Sequence, residues 1–215
     1  MTPIEEKVVT ARVGLLMRAP FFGSMVTRMT MIQNDDWCDT AATDGRNIYF
    51  NEAFFEKLSV KQIEFVLAHE VLHCIFDHIG RTQSFHNHQL ANIAQDYAVN
   101  QILVDEKIGE KVTQIKICYD PKYRDWPWED IYEDLFKNAK TINVQLLDQH
   151  LEADGSGGTG EGDQDGSGGK KGQPTISSKD RQAIQDEVMA AAINAAAMAG
   201  GKIPSGVDRL IKQLT

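Results

Sequence analysis

The chain has 215 residues, 42% of them hydrophobic and 25% charged, enough for a domain that buries its own core without disulfide staples. Its formal net charge of -9, from 31 acidic against 22 basic residues, excludes the basic face of a nucleic-acid binder or of a protein docked on anionic lipid. No apolar run approaches the roughly 18 residues of a membrane span, residues 1–12 carry no basic-then-apolar export pattern, and Cys38, Cys74 and Cys118 form no CxxC pair, so the composition predicts a cytoplasmic protein with reduced, mostly buried thiols.

Residues 4–31 read as helix, loop and helix. Val8, Val9, Val13 and Leu16 fall on one face of the first helix, and Pro20 ends it, because the residue before a proline avoids the helical region. Thr43-Asp44-Gly45-Arg46 is a turn signal, followed by a short strand at 47–50 that residues 37–43 pair with as a hairpin. Ser59-Val60-Lys61-Gln62 is a capping box opening a helix predicted to run to about Ile79 and stop at Gly80. A second helix is expected over about 89–107, with Asn87 or His88 at its start and Gly109 beyond its end. Residues 112–119 alternate at period two and suggest a strand or extended segment. Pro127 begins a short helix over about 128–138, with Ile131, Leu135 and Phe136 on one side. Residues 153–173 hold more than half of the chain's 17 glycines, mixed with Ser, Asp, Glu and Lys. Such a stretch is expected to be a flexible linker, since it buries too little apolar surface to offset its ordering entropy. A long helix over about 178–199 and a short one from about Ser205 follow.

The chemistry lies in Ala68-His69-Glu70-Val71-Leu72-His73. Residues four apart on a helix stand about 40° apart around the axis and one turn apart along it, so His69 and His73 can aim two imidazoles at one point. Two histidines, a carboxylate and a water make a catalytic zinc shell with an open position. Glu70 stands beside the pair, where it serves as general base for a metal-activated water that attacks a carbonyl carbon. The apolar neighbours Ile63, Val66, Leu67, Val71, Leu72 and Ile75 place the motif in a buried helix.

The third ligand has five candidates. On a continuous helix His78 points away from His69 and suits a structural or capping role. Asp77 lies a turn beyond His73 and suits support of the site or a pair with Arg81. Position 79, where a longer histidine motif has its third ligand, is Ile79. Asp96 is the strongest candidate: it falls in the middle of the next helix among Ile93, Ala94, Tyr97, Ala98 and Val99, where a carboxylate needs a partner and zinc supplies one. His86 and His88 come next. The strand at 47–50 is a candidate edge for holding an extended substrate by β-augmentation, and Tyr97, Tyr119 and Tyr123 are candidates for stabilising an oxyanion.

Five stretches together resemble a bacterial and phage family: Pro20-Phe21-Phe22-Gly23, Thr40 to Arg46, Phe65 to His73, His78 to Arg81, and Asn92 to Asn100. That family is the metallopeptidase domain usually followed by a von Willebrand factor A-like domain. The resemblance covers about residues 5–140 and, more loosely, 178–215. It implies a gluzincin-like fold, zinc held by His69, His73 and Asp96, and Glu70 as general base. It also implies a bacterial or phage-infected cytoplasm and work alongside a MoxR-type ATPase or a von Willebrand factor A-like partner.

The expected fold is α+β and mainly helical, with a small sheet and two central zinc-holding helices. Residues 1–150 form the metallopeptidase domain, 151–175 the flexible acidic linker, and 176–215 a C-terminal helical segment that folds back, docks a partner or lies across the cleft as an inhibitory element. The expected activity is that of a zinc-dependent endopeptidase acting on a protein or peptide. One alternative is a hydrolase of another amide. The other is a catalytically silent zinc-containing adaptor, against which Glu70 argues, because a structural site has no use for a base.

Overall fold

Two capping boxes fix the starts of the helices on which the fold is built. In the first, Glu5 N–H donates to Thr2 Oγ1 at 3.2 Å and Thr2 N–H to Glu5 Oε2 at 2.7 Å. In the second, Gln62 N–H donates to Ser59 Oγ at 3.1 Å and Ser59 N–H to Gln62 Oε1 at 2.9 Å. Each satisfies two N–H groups that a helix start otherwise leaves open. The structure, a computed structural model, describes residues 1–138 and 173–214. Among these it is mainly helical with one three-stranded sheet, the α+β class expected.

Helix α1 (Pro3–Arg18) ends at Ala19, and Pro20 is the first residue of α2 (Pro20–Arg28). The buried face of α1 is Ile4, Val8, Ala11, Gly14 and Leu15. The face expected from the valines is wrong beyond Val8: Val9, Val13 and Leu16 are 44%, 49% and 41% exposed. Small residues decide the matter. At Gly23 of α2 a Cβ would lie 2.3 Å from Leu16 N and 2.4 Å from Leu16 Cα, so the two backbones touch where no side chain fits.

The sheet consists of β1 (Thr30–Gln33), β2 (Ala41–Thr43) and β3 (Asn47–Phe50), in the order β1-β3-β2. β2 and β3 make the expected antiparallel hairpin, with Ala42 opposite Tyr49. Its turn is held by Asp44 Oδ1, which accepts from Arg46 N at 2.8 Å and Asn47 N at 2.6 Å, and by Gly45 at φ 89°. β1 replaces the end of the helix expected to reach residue 31. It pairs in parallel with β3, Met31 opposite Ile48, so sheet pairing overrides helix propensity there. One consequence corrects the sequence reading: β3 is the central strand, hydrogen-bonded on both sides, and has no edge to offer a substrate.

After α3 (Glu52–Glu56), helix α4 (Val60–Ile75) crosses the centre of the molecule, every residue from Gln62 to Ile75 buried. It packs against α1, α2, β2, α6 and α8. It stops four residues before the expected end, and a short α5 (His78–Arg81) follows. Asn87 caps α6 (His88–Asp105), its Oδ1 accepting from Leu90 N at 2.9 Å. Residues 112–119 form no strand. In α7 (Trp128–Lys137) the buried residues are Trp128, Ile131 and Tyr132, whereas Phe136 is 59% exposed. Helix α8 (Ser178–Met198) enters the main core through Val188, Ala191, Ala192 and Ala195, and α9 (Ser205–Leu214) adds Val207 and Ile211. The glycine-rich stretch expected to be a linker falls, apart from Gln173, outside the described residues.

Replacing Gly23 with Ala forces α1 and α2 apart over backbone atoms that cannot yield. Overpacking of this kind is expected to cost about 3 kcal/mol, measured as a lower urea midpoint with an unchanged denaturant slope.

Candidate metal centre

Helix α4 presents His69 and His73 one turn apart, their ring centroids 4.5 Å from each other. Helix α6 packs against α4 and brings Asp96 to the same place. Asp96 Oδ1 lies 3.5 Å from His69 Nε2 and 3.4 Å from His73 Nε2. The three residues offer ligand atoms all within 4.8 Å of one another, the one such group among the described residues. A four-coordinate zinc with ligands at about 2.0–2.1 Å has ligand-to-ligand edges of about 3.3 Å, close to the two histidine–carboxylate separations. Charge fits as well. Glu70 and Asp96 are both 0% exposed, and two carboxylates in so dry a place call for a cation. The donor set therefore suits a divalent metal with nitrogen and oxygen preferences.

Of the sequence candidates for third ligand, the structure brings Asp96 to the pair and leaves the others outside the group. His86 is exposed and His88 half-buried at the start of α6. The tyrosines are engaged elsewhere. Tyr123 donates its hydroxyl to Asp134 at 2.7 Å, Tyr119 carries the Lys111 ammonium on its ring, and Tyr97 stacks edge-on against Tyr123. Burial raises the Tyr97 hydroxyl to about 12.

Two residues support the site, one passed over in the sequence reading and one given a structural role there but aimed away from the pair. Asn100, one turn after Asp96 on α6, donates its Nδ2 to the Cys118 carbonyl at 2.9 Å. That carbonyl can only accept, so the amide orientation is fixed and Asn100 Oδ1 faces His69 Nδ1 at 3.0 Å. His69 Nδ1 must then carry the proton, which leaves the Nε2 lone pair turned toward Asp96 and a metal. The i,i+4 spacing of Asp96 and Asn100 was a visible signal for this.

The second is His78. The expectation that it points away assumed a continuous helix. Instead α4 ends at Ile75 and Asp77 takes a left-handed conformation, φ 48° and ψ 45°. The chain turns back, and His78 Nδ1 comes to 2.9 Å from His73 Nδ1. Thr82 Oγ1 then donates to the His78 carbonyl at 2.8 Å and accepts from the buried Gln95 at 2.8 Å, tying this corner to α6. Burial raises the Asp77 carboxyl above its ordinary value, with Arg181 partly offsetting it.

Beside the centre lies Cys74, whose thiol burial pushes up to about 12, with Thr43 Oγ1 at 3.4 Å. The residues at the centre itself are closed in: His69, Glu70 and Asp96 are 0% exposed and His73 2%. Because Asn100 sets the tautomer of His69, Asn100→Ala is expected to leave the fold intact and to weaken divalent-metal binding by roughly 10- to 100-fold, measured by competition with a chromophoric chelator.

No curated protein and no solved structure matches the chain. A family model does, over residues 3–215, and its description is "Putative metallopeptidase domain". That match takes in the sheet, the three converging side chains and the C-terminal helices together. A metal-dependent hydrolase is what such a domain provides, and the chain belongs to this metallopeptidase-domain family.

Proposed function

We propose that the protein is a zinc-dependent endopeptidase of the HExxH type. His69, His73 and Asp96 are the metal ligands and Glu70 is the general base. The observation that carries this reading is the convergence of two imidazole nitrogens and a carboxylate oxygen, next to a further carboxylate on the same helix turn. Zinc held there supplies Lewis acidity, which brings the pKa of a water toward neutrality and polarises a carbonyl oxygen. Glu70, buried one residue from His69, takes the proton from the attacking water and returns it to the leaving amine. Asn100 and His78 hold the two imidazoles so that their Nε2 atoms face Asp96. The enclosure keeps bulk water from competing for the charges that develop.

The gluzincin-like relationship, the von Willebrand factor A-associated branch and a cytoplasmic partnership with a MoxR-type ATPase belong to the same proposal. They are supported by the set of five motif stretches. The adaptor alternative would keep the ligands and have no need of Glu70.

Zinc content by mass spectrometry separates these readings. One zinc per chain is expected in wild type and in Glu70→Gln, and none in Asp96→Ala. Hydrolysis of a peptide library by Glu70→Gln is expected to fall by about 10²- to 10⁴-fold, the usual contribution of a general base. A folded wild type that takes up no zinc, or a Glu70→Gln variant as active as wild type, would sink the endopeptidase.

A further inference from the structure

The centre is closed on every side, so a peptide needs a route to it, and one ligand shows where that route runs. His73 lines a crevice with Cys74 and Asp77 on α4 and its corner, and with Asp44 and Gly45 directly after β2. Ile79 of α5 adds to that side, and the remaining wall is Ile176, Arg181, Ile184, Gln185 and Val188, from the first half of α8 and the residue pair before it. Between these walls the free space is about 20 Å³, room for one water. Take the C-terminal wall away and the crevice opens directly onto His73.

The covering stretch has the form of a substrate. Ile176 makes an isolated β-bridge and is 6% exposed: extended backbone with an aliphatic side chain put away, the arrangement of a peptide held by strand addition. β2, the outer strand on this side of the sheet, is buried at every residue.

The cover is also fastened to the turn beside the crevice. Arg46, in the β2–β3 turn, makes a two-pronged contact with Glu187 at 2.8 and 2.6 Å, both side chains about half exposed. Exposed pairs of this kind hold weakly. Arg181 reaches Asp77 at 3.4 Å, while its Nε is buried with no hydrogen-bond partner among the described residues, which is costly. A Cβ at Gly45 would meet Ile184 Cγ2 at 2.4 Å, so this end of α8 lies directly on the turn. The other half of the helix is bound by Ala191, Ala192 and Ala195 in the core. In the first half, Val188 reaches the core and Ile184 packs against it, while the polar contacts at Glu187 and Arg181 are exposed or incompletely satisfied.

We infer that this crevice is the substrate subsite of the metal centre, that it accepts an extended peptide with a branched aliphatic side chain, and that Ile176 and the first half of α8 occupy it as the chain's own plug. The inference rests on the hydrolase reading of the centre. It makes the protein latent until the plug leaves.

Cys74 reports the plug directly, because it lines the crevice at 5% exposure while Cys38 and Cys118, at 0%, lie elsewhere in the fold. The full chain, loaded with zinc, is treated with iodoacetamide and the labelled cysteines are mapped by mass spectrometry. In Glu187→Arg combined with Ile176→Ser, labelling of Cys74 alone is expected to rise roughly tenfold, since labelling follows the population of the open form. Adding Arg46→Glu to Glu187→Arg restores the ion pair in reverse and is expected to return Cys74 to its wild-type protection. A free peptide copying residues 173–177 is expected to protect Cys74 in the opened variant, and the same peptide with Asp in place of Ile is expected not to. Wild-type protection of Cys74 in the opened variant, or equal labelling of all three cysteines, overturns the plug; equal protection by both peptides overturns the aliphatic subsite. Zinc content in the same samples tests the centre separately: protein without zinc refutes the hydrolase reading, and zinc-loaded protein with Cys74 still protected refutes the plug alone.

Discussion

The contact between α4 and α6 forces ionisable side chains into a place without solvent. His69, Glu70 and Asp96 are fully buried and His73 almost so. An interior of low effective dielectric tolerates such a group only when charges and hydrogen bonds compensate. The three ligand atoms meet at separations that suit a small dication, and a cation is the compensation that two carboxylates require. Much of the rest of the structure can be understood as what keeps these two helices in register. The capping box at Ser59 fixes where α4 starts. The chain leaving α6 crosses the first turn of α4, where Glu110 N–H donates to the Lys61 carbonyl at 2.9 Å. At Gly109, φ 63°, any Cβ would lie 2.5 Å from that same carbonyl. A shift of either helix along the other by a single residue would take Asp96 away from the histidines.

Around this contact lies a layer of side chains that orient the ligands rather than bind. Asn100, pinned by the Cys118 carbonyl, determines which nitrogen of His69 is protonated. His78 supports the back of His73, and can do so only because Asp77 accepts a left-handed backbone that costs roughly 1–2 kcal/mol in an ordinary residue. Asp bears that conformation better than most, and its carboxylate also receives the Gly80 N–H of the short helix it opens. The early end of α4 is therefore the means by which a third histidine reaches His73, outside the group of three candidate ligand atoms.

These particulars explain what could be read from the sequence. The helix carrying His69, Glu70 and His73, its capping box, the hairpin of β2 and β3, and Asp96 as the carboxylate that joins the histidines all follow from local rules: spacing, turn chemistry and the cost of a lone buried charge. What could not be read depends on neighbours distant in sequence. β1 is a strand because β3 is beside it. The buried face of α1 is chosen by Gly23 of α2 and not by the larger valines. The direction of His78 depends on a break at Asp77, a residue whose left-handed conformation only the fold reveals. Asn100 was within reach, one turn from Asp96, but its role requires the Cys118 carbonyl, a loop atom that no periodicity announces.

On the proposed endopeptidase reading, a centre this dry must still admit a peptide, and the two demands fall on different walls. α4 cannot move, because it is buried from Gln62 to Ile75 and packs on α1, α2, β2, α6 and α8. The sheet cannot part, since β3 is paired on both sides. Asp96 and Asn100 commit α6 to the ligands. The wall made by Ile176 and the start of α8 offers none of the three candidate ligand atoms, and its polar ties to the neighbouring turn and to Asp77 are exposed or incompletely satisfied. Exposed and incompletely satisfied polar contacts thus gather on the side facing the crevice, and the most deeply buried helix lies on the side of the candidate metal centre, a distribution compatible with the proposed plug.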